Sequence, residues 1–164
     1  MTLTRLLAVL AAAAMLVCTT LLLDGNAARA QTADDPAYLS MGVGYFDVLD
    51  DEDAADFRLE YRHDRGLWVL KPWVGLEATS DGAVYGALGI LADLHLTDQV
   101  VLIPSFGAGA FEEGDGKDLG HTIEFRSAAE LAWRFDDRSR LGLEISHRSN
   151  ADIGDKNPGE ESLM

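Results

Sequence analysis

From Ala37 onward, apolar residues recur at every second position, and stretches of this alternation are separated by clusters of Gly, Asp, Asn and Ser. A period of two marks extended strands, because successive side chains point to opposite faces. Ala37 to Phe46 sets Leu39, Met41, Val43 and Tyr45 against Ser40, Gly42 and Gly44, a bulky apolar face backed by a very small one. Phe57 to Asp64 sets Phe57, Leu59 and Tyr61 against Arg58, Glu60 and Arg62. Thr122 to Asp136 repeats the theme, with Ile123, Phe125, Leu131, Trp133 and Phe135 opposite Glu124, Arg126, Glu130 and Arg134. Charges in a row on one face belong in a polar interior, and the aromatics opposite belong in lipid. The charged set is expected to neutralise itself inside.

The remaining segments fill in a barrel. Leu67 to Ala78 reads as a strand interrupted by Pro72, with Trp68 and Trp73 unassigned in facing. Val84 to Leu96 alternates Val84, Leu88, Ile90, Leu94 and Leu96 with Tyr85, Ala87, Gly89, Asp93 and His95. Val100 to Glu112 is ambiguous, its Gly107 and Gly109 either relieving crowding in a narrow interior or marking a bend. With Arg140 to Asn150 and a last segment from Glu160, these make an eight-stranded antiparallel outer-membrane β-barrel. The connections at Asp47 to Asp56 and Glu112 to His121 are long and acidic, whereas those at Asp64 to Gly66, Thr97 to Gln99 and Asp136 to Ser139 are short. Short turns lie on the periplasmic side, so the seventh strand runs outward. A membrane strand needs about 9 to 11 residues, and only Glu160 to Met164 follow the last turn, so the closing strand is expected to be short and insertion weak.

The first thirty residues follow another pattern. Arg5, the apolar run Leu6 to Leu23 and the sequence Ala28-Arg29-Ala30 read as a secretory signal peptide (residues 1–30) ahead of a barrel domain (residues 31–164). The competing reading is a retained transmembrane helix. Cys18 falls inside the signal and follows Val17, where a lipoprotein signal carries a smaller residue, so the mature chain is expected to have neither a cysteine nor a lipid anchor. Losing Arg5, Arg29 and Asp24 leaves 11 basic and 27 acidic residues, a net charge of −16. That balance excludes nucleic acid as a partner. His63, His95 and His121 lack metal-ligand spacing, Asp50 to Asp53 lacks the order of a calcium loop, and Gly42-Val43-Gly44 and Gly107-Ala108-Gly109 lack a nucleotide fingerprint, so no metal or cofactor is expected.

The candidate chemistry lies in the seventh strand. Leu141, Leu143, Ile145, His147 and Ser149 share one face, so an apolar, lipid-directed face ends in an imidazole and a hydroxyl at the level of the outer leaflet. Glu161 shares parity with Leu163 and can join them from the eighth strand. Hydroxyl, imidazole and carboxylate are the parts of an activated serine nucleophile. The run His147-Arg148-Ser149-Asn150, with Glu161 twelve residues after Ser149, resembles the active-site segment of the outer-membrane lipid A 3-O-deacylases, the PagL family, whose pattern is His-x-Ser-Asn followed by that Glu. The resemblance implies a metal-independent serine esterase with Ser149 as nucleophile, His147 as general base, Glu161 as orienting acid and Asn150 as oxyanion donor. It implies lipid A of lipopolysaccharide as substrate and the Gram-negative outer membrane as location. A homodimer is one assembly open to it. Family members usually carry Gly two residues after the Asn, where this chain has Asp152. Two alternatives stand beside this reading: a non-catalytic structural barrel of the OmpA or OmpX type, and a soluble lipocalin-like barrel with the faces inverted.

Overall fold

The computed structural model describes residues 35–50 and 54–164. The expected signal peptide, and most of the acidic run Asp50 to Asp53, lie outside the described residues. The chain forms β1 (Tyr38–Phe46), β2 (Ala54–Arg62), β3 (Leu70–Thr79), β4 (Val84–Ala92), a two-residue β5 (Leu94–His95), β6 (Val100–Glu112), β7 (Ile123–Arg134), β8 (Arg140–Ser149) and β9 (Glu160–Leu163). Neighbours run β4-β3-β2-β1-β9-β8-β7-β6, all antiparallel, and β4 pairs with β6 to close the circle. The result is the expected eight-stranded barrel, with β5 as an additional short strand on β6.

The faces follow the alternation. Met41, Val43, Phe57, Leu131, Trp133, Leu141 and Leu143 are exposed on the outer surface, as a lipid-facing girdle requires. Inside, Arg58 donates to Glu77 over 2.7 Å and pairs with Glu144, Arg126 reaches Glu144 at 2.9 Å and Glu60 at 3.3 Å, and Arg62 spans Glu60 and Glu130. The interior is therefore a web of ion pairs threaded between β2, β3, β7 and β8. Breaking one partner of such a buried pair costs roughly 3–5 kcal/mol, because the other charge is stranded. Arg134, expected in this web, instead binds Asp35 at the periplasmic mouth over 2.6 Å, beside Arg140 and Tyr38. Arg148, Glu160, Asp56 and Glu124 are buried inside as well, and the carboxylate of Glu124, also expected in the web, accepts no hydrogen bond from the described residues.

The ambiguous strands resolve by size. Trp73 points inward and is 3% exposed, whereas Trp68 sits exposed in the turn before β3 with φ +59°, so that strand begins at Leu70 and not at Leu67. Gly107 faces inward beneath the Trp73 ring, and a Cβ there would overlap it, so the glycine relieves crowding. Val84 to Leu96 is not one strand: it breaks at Asp93, which is buried between Lys71 and Arg140. Beyond the break Leu94 is not lipid-exposed as expected. It is 8% exposed, packed with Ala92, Val69 and Leu102.

Closure at β9 is brief. It pairs with β8 at four positions and with β1 only at Tyr45 to Leu163. Two further contacts hold it: Met164 and Glu144 exchange backbone hydrogen bonds at 2.9 and 2.7 Å, and the Val48 N–H donates to the Glu161 carbonyl at 2.9 Å. The very small inner face of β1 explains how β9 fits, since Leu163 and Met164 fill the space that side chains at Gly42 and Gly44 would take.

Candidate active site

Two adjacent cross-strand pairs build the site. His147 of β8 lies opposite Glu161 of β9, and Arg148 opposite Glu160. Alternation sends the first pair outward and the second into the lumen. On the outer face His147 Nδ1 stands 3.1 Å from Glu161 Oε1. A carboxylate only accepts, so this contact requires a proton on Nδ1, which in the neutral ring leaves Nε2 as the basic nitrogen. The ring is partly exposed and the carboxylate more covered, with side chains 43% and 16% accessible.

Gly159 explains why the ring fits under the returning loop. Its φ is +68°, and a Cβ on it would approach His147 Cε1 to 3.1 Å. The glycine thus provides the left-handed turn and clears the edge of the imidazole. In the sequence the signal for this turn is the Gly that directly precedes the Glu160-Glu161 strand start.

Ser149 follows on the same outward face, half-buried, opposite Phe125 of β7, whose ring stacks on Phe106 with centroids 6.2 Å apart. Its hydroxyl makes no hydrogen bond with the His147 ring in this structure.

Asn150 is fully buried and ties the outer loops together. Its Nδ2 donates to the carbonyls of Leu119 at 2.8 Å and Lys156 at 2.7 Å, its Oδ1 accepts from the Asp152 N–H, and its own N–H donates to Asn157 Oδ1. Ala151 and Asp152 both have positive φ, +55° and +62°. The departure from glycine at Asp152 is therefore accommodated by a residue type that tolerates the left-handed region. A second tie lies alongside: the Lys117 ammonium donates to Asp47 and Asp50 at 2.8 Å. Burial opposes the Lys117 charge, but the two carboxylates outweigh it and hold its pKa above the usual range. Burial pushes the Asp47 carboxyl up, more than Lys117 offsets.

The fold and this arrangement define an outer-membrane β-barrel with a His–Glu pair and a neighbouring serine on its lipid-facing wall, at the end where the long loops meet. The sequence model of the lipid A 3-O-deacylase (PagL) family matches residues 55–164, and the chain belongs to that family. Among solved structures it is similar to that described as the outer membrane enzyme PagL, with a TM-score of 0.58 and 21% identity over 76% of this chain and 93% of that one. No curated protein matches the sequence.

Proposed function

We propose that the chain hydrolyses the ester-linked acyl chain at the 3-position of lipid A in the outer leaflet, with Ser149 as nucleophile, His147 as general base and Glu161 as the acid that orients it. Family membership carries the reaction class and the outer-membrane setting. The observation that supports the residue roles is the His147–Glu161 contact on a lipid-facing wall, two residues from a serine on the same face.

The chemistry proceeds in two halves. Ser149 Oγ attacks the ester carbonyl while His147 Nε2 takes its proton. The tetrahedral intermediate then collapses, the sugar hydroxyl leaves with the proton from His147, and the acyl group stays on Ser149. Water, deprotonated by the same ring, attacks the acyl-enzyme and releases the fatty acid and the serine. Glu161 keeps the imidazole in the tautomer with Nε2 free and stabilises the imidazolium in both halves. Asn150 serves as oxyanion donor if its Nδ2 exchanges the Leu119 or Lys156 carbonyl for the developing oxyanion. That exchange replaces a neutral acceptor by a charged one, a stronger hydrogen bond.

Export by residues 1–30, with cleavage after Ala30, is the matching proposal for delivery. The test of function is the mass spectrum of lipid A from cells producing the chain. Loss of one hydroxyacyl chain, absent in cells producing Ser149→Ala, is the expected result. Unchanged lipid A with the protein folded in the membrane would leave a structural barrel.

A further inference from the structure

Behind the outward His147–Glu161 pair lies the inward pair Arg148–Glu160, on the same two strands and one residue away. Arg148 is fully buried and fixed from several sides. Its guanidinium pairs with Glu77 of β3 and lies over the rings of Tyr85, Phe46 and Phe111 at 4.2, 5.6 and 5.6 Å. Glu160 is also fully buried, with its carboxylate 3.6 Å from Arg148 and accepting from Ser162 Oγ at 2.7 Å.

The repeated Glu160-Glu161 makes this arrangement necessary. A slip of one residue in β9 exchanges its faces and would offer Glu160 to the histidine in place of Glu161. The His147 hydrogen bond alone does not distinguish two identical side chains, and neither do the backbone hydrogen bonds that join β9 to β8, Glu144 and Val48, because every residue offers the same N–H and C=O. An arginine immobilised in the lumen does distinguish them, because it draws one carboxylate inward and so turns the other outward. Accordingly, we propose that Arg148 and Glu160 are positioning residues for catalysis, an interior clamp that sets the register of β9 and thereby holds Glu161 against His147. This inference rests on the reading of His147 and Glu161 as base and orienting acid.

The test uses the full chain in detergent micelles, with barrel closure checked by heat-modifiable gel mobility and lipid A hydrolysis followed by mass spectrometry. Glu160→Gln is expected to close the barrel and to lose roughly 10- to 100-fold in kcat, as misplacement of catalytic groups by about an ångström does, with KM nearly unchanged. In a Glu161→Gln background the same change should cost nothing further, since its effect travels through Glu161. In chain labelled with 15N-histidine, the His147 ring signals, assigned by their loss in His147→Ala, should report one tautomer in the parent and a mixture in Glu160→Gln. Should Glu160→Gln fail to close, Ser162→Ala, which removes only the hydroxyl that steadies Glu160, decides by a smaller kcat loss and the same tautomer change. Full kcat in the closed variant, losses that multiply in the Glu161→Gln background, or an unchanged His147 signal would each overturn the clamp. Parent-like activity of Glu161→Gln would instead overturn the role of Glu161 itself, and the clamp with it.

Discussion

The His147 ring and the Glu161 carboxylate meet at 3.1 Å on the lipid-facing wall, although they stand fourteen positions apart in the chain. A histidine turned toward lipid beside a carboxylate has no part in the interior ion-pair web, so its substitution should test function more than folding. Ser149→Ala and His147→Ala are expected to close as barrels and to lose about 10⁴-fold or more in rate, in keeping with removal of a nucleophile or base. Glu161→Ala should lose less, because it only orients the ring. Lipid A mass spectra over a time course check the ranking, and equal, complete losses for all three would give Glu161 a further role.

The reach of the sequence follows from how each feature is encoded. Alternation in Phe57 to Arg62 or Ile123 to Arg134 carries its facing with it, because charge and aromatic positions do not mix. Leu94 misled because the alternation runs unbroken through Asp93, whereas the buried partners Lys71 and Arg140 that bend the chain there come from distant strands. The two lumenal glycines were ambiguous for a similar reason: the ring that needs the space at Gly107 belongs to Trp73, on β3. At the site, spacing alone suggested that His147, Ser149 and Glu161 share a face. The bonds that occupy Asn150 run to Leu119 and Lys156 in two other loop positions, and no local pattern announces them.

Trp73 and Gly107 give a packing test. The ring donates from Nε1 to the Ile90 carbonyl at 3.2 Å and carries the Arg126 guanidinium 5.1 Å above its centre. Gly107→Ala forces the Trp73 ring or the Leu88 backbone carbonyl, which would lie 2.9 Å from the new Cβ, to move, and overpacking of this kind typically costs about 1–3 kcal/mol. The variant is expected to close more slowly and to lose its heat-modifiable form at lower temperature than the parent. Gly86→Ala, where a Cβ would meet only Leu76 at 3.4 Å, should behave like the parent.

Facing is open to a lipid-soluble photoreactive probe in reconstituted vesicles. Leu143, Ile145 and Phe125 should be labelled, and Glu144 and Arg126 should not. Leu96 should be labelled and Leu94 spared, since Leu94 is packed against Ala92, Val69 and Leu102. Labelling of Glu144 and Arg126 would indicate inverted faces.

Asn150 carries the last prediction. Removing its side chain strands the Leu119 and Lys156 carbonyls and the Asp152 N–H, which together close the turn after Ser149. Each stranded group that stays out of water costs about 1–3 kcal/mol, so Asn150→Ala should loosen residues 150–159 and make them sensitive to protease added outside the cell. Its rate should fall as well, by roughly 10²–10³-fold if the amide also serves the oxyanion. Asn150→Asp separates the two roles. It retains the acceptor for Asp152 but has no donor for the oxyanion or for either carbonyl, so protection from protease is expected to be partly kept while the rate falls as far as in Asn150→Ala. A rate for Asn150→Asp near the parent's would show that the oxyanion is held by other donors and that Asn150 acts only by closing the turn.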